Sequence, residues 1–336
     1  MAVVRRMKTF GKVNIGTLRR FVLPNLGIIS KELVEPANIG VDFAVVKSSN
    51  QFLIVSADPI TGTRKNIGWY AIHISANDVA TSGNRPRFVV NVILLSEKDK
   101  KTSIREITED IDRACRDLGV TVVGGHTEVT KGIKETIVVV TAFTFSEKYI
   151  TSKNARLDDV ILMTKTAGIE GTSILAADYS SKLSRLGVIN LKKATKIIEN
   201  ISIVEEAERA YSTGYVHAMH DPTEGGVLGG VYEMSLASNL GFLVDRKKVP
   251  LNNETAKICG ALNIDPLKLI SSGVLLMAVD PKGKENVEKE LRDNGYTVTE
   301  IGRFIEKDRV LMSNGRKMMV DHDIVDELWK IKARKS

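Results

Sequence analysis

Three aspartates of this chain stand where a carboxylate is hard to accommodate. Asp42 follows Gly40 at the end of a loop, Asp58 closes the apolar run QFLIVSA, and Asp78 sits beside Asn77 in an otherwise small and apolar segment. Burying a charge at such places is costly unless a cation or a partner offsets it. Magnesium takes one or two carboxylates together with phosphate oxygens, so acids at strand ends and helix tips can hold divalent ions against a polyphosphate. A plainer alternative stays open for each: Asp58 starts a DPIT turn, and Asp78 pairs locally or makes a cap.

Two glycine-bearing segments add to this. GGHTEVT (Gly124 to Thr130) follows the apolar TVV directly. Its glycines let a backbone approach a ligand, and His126 and Glu128 share one side if the strand continues. A bulge at Gly124 and Gly125 explains the same letters. HDPTEGG (His220 to Gly226) places Asp221 and Thr223 with paired glycines at the start of a helix. That arrangement suits an anion or a positioned substrate, and equally a plain Asp-Pro turn with a cap. His217 and His220 lack a third metal ligand nearby, which does not favour zinc. Neither GxxxxGK[ST] nor GxGxxG is present, so a bound nucleotide would be met by metal ions and scattered amides. Cys115 and Cys259 form no CxxC pair, and Cys259, in ETAKICGALNI, reads as a small core residue.

The elements that must position these residues follow from periodicity. Residues 12–23 read as a short helix. FAVV and QFLIVSAD form a hairpin around KSSN, 66–82 a helix, FVVNVILL a buried strand, 103–118 an amphipathic helix, and TVVGGH and ETIVVVTAFTF two more strands. After the polar stretch SEKYITSKNARLDD a second unit begins at VILMTKTA. It continues with helices near 171–179, 191–213 and 226–238 and ends in the strands SSGVLLMAVD and YTVTEIGRFIE. The expected division is an extension over 1–39, domains over 40–147 and 155–312, and a tail over 313–336. Both domains have an α+β rhythm.

At 336 residues with 43% apolar content, the chain can supply a core for each domain. No run of ~18 uncharged apolar residues and no signal-like core occurs, so a cytoplasmic protein without membrane contact is expected. The net charge of +7 resides in the ends. Arg5, Arg6, Lys8, Lys12, Arg19 and Arg20, with Lys330, Lys332, Arg334 and Lys335, exceed the whole excess, leaving a slightly acidic body. Basic ends on such a body, with 5% aromatics, argue against a nucleic-acid groove.

Taken in order, GVDFAVV, SADPIT, NIGWYAIHISANDVATSGNRP, VVGGHTEVT, TKTAGIEGTSILA, HDPTEGGV and LISSGVLLMAV resemble the superfamily of aminoimidazole ribonucleotide synthetase, selenophosphate synthetase, thiamine-monophosphate kinase and the hydrogenase-maturation dehydratase. The last is nearest, through IEGTSILA and HDPTEGG. The resemblance implies a two-domain PurM-like α+β fold, with an N-terminal α/β domain that shares a β-barrel across a homodimer and a C-terminal α+β domain. It implies ATP and magnesium as cofactors and a small-molecule substrate, and it leaves room for a partner protein. Carried over by position, Asp42, Asp58 and Asp78 hold metal, and Asp42, Asn77, Gly124, Gly125, His126, Thr127 and Glu128 belong to the nucleotide site. Asp58, Asp78 and Asp221 serve the chemistry. The expected activity is phosphorylation of an amide or carboxylate-type oxygen followed by displacement or dehydration. A nucleotide-binding partner or regulatory protein without turnover is the alternative. Two departures bear on it: His126 stands where the family has an acid, with Glu128 two residues on, and no cysteine follows Cys259 in a chain ending KIKARKS, where the dehydratase carries its carbamoyl group.

Overall fold

A computed structural model describes residues 12–333 except 62, 64, 100 and 189, so the basic residues at positions 5, 6, 8, 334 and 335 lie outside the described residues. The first domain is built on six strands: β1 (Leu33–Glu35), β2 (Ala44–Ser48), β3 (Gln51–Ile60), β4 (Phe88–Ser96), β5 (Thr121–Thr130) and β6 (Ile137–Ser146), in the order β1-β2-β3-β6-β4-β5. β2 and β3 form the expected hairpin, turning on Ser49 and Asn50 with Ser49 at φ 52°. β5 joins β4 in parallel after the helix Lys101–Leu118 and forms the sheet edge.

Every residue of the helix Ile67–Ala80 is buried. It lies between β3 and β6 on one side and the Lys101–Leu118 helix and the second domain on others. A helix enclosed all round needs no polar face, which explains its small and apolar composition. The Lys101–Leu118 helix instead buries one stripe, Ile107, Ile111, Cys115 and Leu118, and leaves its charges outside.

The second domain has seven strands: β7 (Val160–Thr164), β8 (Val216–His220), β9 (Gly241–Asp245), β10 (Leu276–Val279), β11 (Val298–Ile305), β12 (Arg309–Ser313) and β13 (Arg316–Met319), ordered β13-β12-β9-β11-β7-β10-β8. β10 is buried throughout, as a central strand covered on both faces must be. No helix among the described residues is long and apolar enough to cross a membrane.

Two local expectations fail for physical reasons. The stretch 191–213 is not one helix: it breaks into Leu191–Lys196, a tighter turn Ile197–Asn200, and Val204–Ser212. At the break, Ile201 O and Ile203 N turn away from any helical ladder to bond the Asn77 side chain of the first domain. Nor does β3 end in a turn at Asp58, since Asp58, Pro59 and Ile60 all pair with β6. Proline is tolerated there because β2 pairs only as far as Val55, so the β3 edge beyond it is open.

Candidate functional site

That open edge creates the site. Where β2 stops short, Ser56 and Asp58, two residues apart on β3, face the loop that carries Asp42 and the last turns of the Ile67–Ala80 helix, which carry Asp78. From the second domain come His220 at the end of β8, Asp221 and Thr223 after it, and Glu233 on the helix Gly226–Ala237. Together with Lys12 they line a cavity of about 240 Å3 at the domain junction. Gly40 makes the approach possible: at φ 71°, it lies so near the Glu233 backbone that a Cβ would fall 2.4 Å from Glu233 O.

The electrostatics are those of crowded carboxylates. Asp78 accepts a hydrogen bond from Ser56 Oγ at 2.5 Å. Burial and the charges of Asp58 and Asp221 push its pKa well above the ordinary value. Asp221 is shifted the same way by burial, then by Asp42, and its buried carboxyl lies against that of Asp78. His220 lies between Asp42, with Nδ1 2.5 Å from Oδ1, and Glu233, with Nε2 3.2 Å from Oε2. The Asp42 contact is a charge contact, not an aligned hydrogen bond. Burial opposes charge on the imidazole, yet the two carboxylates raise its pKa to about 10. Glu233 is pressed the other way: burial works against its charge, but Lys12 Nζ at 2.8 Å and His220 bring its pKa down to about 2.

His220 is therefore a fixed cation that neutralises Asp42 and Glu233. Asp58, Asp78 and Asp221 face the same cavity and form no ion pair of their own among the described residues, and oxygen donors of this kind suit a hard divalent cation. Asp42, His220 and Asp221 also place one ligand atom each within 4.8 Å of one another. With His220 protonated, the oxygens of Asp42 and Asp221 are the usable part of that group.

The structure thus gathers Asp42, Asp58, Asp78 and Asp221 from four separate segments. It does not bring Asn77 to them. Asn77 is fully buried, its Nδ2 donating to Ile201 O at 2.9 Å and its Oδ1 accepting from Ile203 N at 3.0 Å, so its amide is spent on clasping the two domains. Gly124, Gly125, His126, Thr127 and Glu128 are on β5, three strands from β3 within the same chain. A bulge does occur there, with Val89 opposite Val122 but Val90 opposite Gly124. Gly125 crosses so close to Asn91 that a Cβ would sit 2.2 Å from its carbonyl oxygen. His126 and Glu128 share a face, 3.1 Å apart and exposed, and Glu128 is lowered in pKa by the Thr130 hydroxyl and then by His126.

Lys12, Ser56, His220 and Glu233 are site residues that the sequence reading passed over. His220 carried a signal, its place at the head of HDPTEGG, but beside His217 it reads only as a zinc pair short of a third ligand. On a strand, positions three apart face opposite ways, and His217 pairs instead with Asp159 at 2.9 Å. Glu233 and Lys12 carried none. Cys259 is buried, its thiol pushed up to about 12 by burial, and takes no part.

Two α+β domains with an acidic cavity at their junction define the class, and the matching family models agree with it. The model for the N-terminal domain of AIR synthase related proteins matches residues 40–145, and that for their C-terminal domain matches 156–312. The chain belongs to this family. It is similar to a Methanocaldococcus jannaschii protein named for hydrogenase expression and formation, 26% identical over 310 residues and covering 88% of each chain. It is also similar to the carbamoyl dehydratase HypE of Escherichia coli, 26% identical over 282 residues, 82% of this chain and 81% of that one. Among solved structures, the hydrogenase maturation protein HypE in complex with ATP superposes with a TM-score of 0.72 at 22% identity, covering 94% of this chain and 93% of that one.

Proposed function

We propose that this chain binds ATP with magnesium at the domain junction and activates a small-molecule acceptor, phosphorylating an amide or carboxylate-type oxygen that is then displaced or eliminated. One observation carries the reading: four aspartates remote in sequence converge on one cavity. Asp42, Asp58 and Asp78 would hold magnesium, whose charge offsets that of the triphosphate. Asp58, Asp78 and Asp221 position the reacting groups, and His220 keeps Asp42 in place.

For an amide acceptor the balance is simple. Its oxygen bonds to the γ-phosphorus as the bond to the β–γ bridging oxygen breaks and ADP departs. Loss of both N–H protons and of phosphate then leaves a nitrile, the product of removing water from a carbamoyl group, which is what the name of the Escherichia coli relative describes.

The same reading includes a cytoplasmic homodimer. β5 is a ten-residue edge strand with Val122, Val123 and Val129 exposed, an arrangement that invites a second copy to complete the barrel. Gly124 to Glu128 would then serve the nucleotide from that strand.

Turnover of ATP is expected to fall by at least about a hundredfold in Asp58→Asn and Asp78→Asn while the dimer persists. Unchanged ATPase or kinase rates in both variants would sink the assignment. Tight nucleotide binding by the unaltered chain, with no product over a panel of amides and phosphates, would favour a binding protein instead.

A further inference from the structure

Away from the aspartate cavity, a lysine stands where glycine would serve the backbone better. Lys165 follows β7 directly and adopts φ 53°, the left-handed conformation that penalises a residue with a Cβ. Such a conformation persists only where the surroundings hold it. What holds this one is the side chain. Nζ donates to Ser202 O at 2.6 Å, to Gly273 O at 2.7 Å and to Asn200 O at 3.2 Å, and pairs with Glu206 Oε1 at 3.0 Å. Four oxygens around one nitrogen exceed its three N–H donors, and rings of backbone carbonyls are what replaces the hydration shell of a monovalent cation. Glu206 is fully buried; burial pushes its carboxyl up, and Lys165 and then the Thr164 hydroxyl pull it back.

This cage and the clasp made by Asn77 grip one segment from opposite sides. Along 200–203 the backbone groups alternate: Asn200 O and Ser202 O turn to Lys165 in the second domain, while Ile201 O and Ile203 N turn to the Asn77 side chain in the first. Asn77 adjoins Asp78, which lines the aspartate cavity.

We propose that Lys165 is a positioning residue, a built-in monovalent cation that fixes the segment 200–203 and, through Asn77, sets where Asp78 stands in the cavity. That Asp78 meets a nucleotide-bound metal there rests on the ATP reading above. A neutral side chain at position 165 leaves the buried Glu206 without its cation and the three carbonyls without their common donor.

The test uses Lys165→Gly in the full chain, a change that relieves the backbone and empties the cage. The Lys165 side chain is 16% exposed, so small ions have a path to the vacated place. In tetramethylammonium chloride, whose cation is bulky and has no N–H, the variant is expected to melt about 6 °C or more below the unaltered chain and to bind a non-hydrolysable ATP analogue with magnesium about tenfold more weakly. Ammonium or potassium chloride at equal ionic strength should restore both, while the unaltered chain behaves alike in all three salts. Variant behaviour indifferent to the cation, a variant that melts with the unaltered chain in tetramethylammonium, or an unaltered chain that itself needs ammonium or potassium would each overturn the proposal. Rescued melting with an analogue affinity that was never lost would overturn the link to Asp78. Should Lys165→Gly fold in none of the salts, the unaltered chain decides by 1H–15N NMR: the Lys165 ammonium signal, assigned through its side-chain carbons, persists where exposed lysines are lost to solvent exchange, and its absence overturns the cage. Melting is read without nucleotide, and analogue binding by the unaltered chain reads the ATP site by itself, so failure of one reading is distinct from failure of the other.

Discussion

Replacing Asn77 by alanine isolates the clasp between the domains. The side chain is fully buried and makes two bonds, to Ile201 O and from Ile203 N, both with the backbone of the segment where the expected 191–213 helix breaks. Alanine leaves a buried carbonyl and a buried N–H without partners, at about 1–3 kcal/mol each, so about 2–6 kcal/mol together. For a chain longer than 250 residues, at about 2 °C per kcal/mol, Tm falls by about 4–12 °C. Ser75→Ala, two residues earlier in the helix, is the internal comparison. Its hydroxyl donates to Val140 O at 3.1 Å, but Val140 lies in a strand already paired on both sides, so the loss is about 0.5–1.5 kcal/mol, or about 1–3 °C. Scanning calorimetry without nucleotide measures both variants. An Asn77→Ala melting point within about 1 °C of the unaltered protein, or a smaller drop than Ser75→Ala produces, would refute the clasp.

Other expectations follow from the same geometry. His220→Gln strips the largely buried Asp42 of its cation, leaves Glu233 with Lys12 alone, and destabilises the chain by about 3–5 kcal/mol near neutral pH. Because the folded pKa of His220 is raised from 6.5 to about 10, its contribution is full below 6.5 and lost as pH climbs through 10, so urea melts of the two proteins should converge between pH 6 and pH 10. Asp221→Asn relieves a buried carboxylate whose pKa is raised, a cost that grows with rising pH above the ordinary carboxylate range. It should lift the metal-free Tm at pH 8 by about 2–6 °C, and an unchanged or lower Tm counts against a buried carboxyl repelled by its neighbours. Val129→Lys, at a position 63% exposed on the β5 edge, should halve the mass seen by light scattering, whereas an intact dimer would place the interface elsewhere.

The sequence made the first domain largely legible. The alternating apolar run of β6, the hairpin at Ser49 and the one-sided Lys101–Leu118 helix each follow from local periodicity, which is a property of adjacent residues. In the second domain the short strands β8, β9, β12 and β13 were not singled out, nor were the helices Asn253–Leu262 and Lys284–Asp293, although the latter buries one stripe, Val287 and Leu291, as periodicity requires. The 191–213 helix was misjudged because what interrupts it is a side chain more than a hundred positions away.

Residue types alone determined that aspartates at 42, 58, 78 and 221 needed an explanation, and their order among the motifs pointed to a family. Only the tertiary structure decided that these four share a cavity while Asn77 turns away from it and Gly124 to Glu128 stay on a distant edge. It also decided that His220, between Asp42 and Glu233, stays protonated at neutral pH. The reason is that the electrostatic state of a buried group depends on charges within a few ångströms, and here those charges arrive from segments whose separation along the chain carries no record of their proximity.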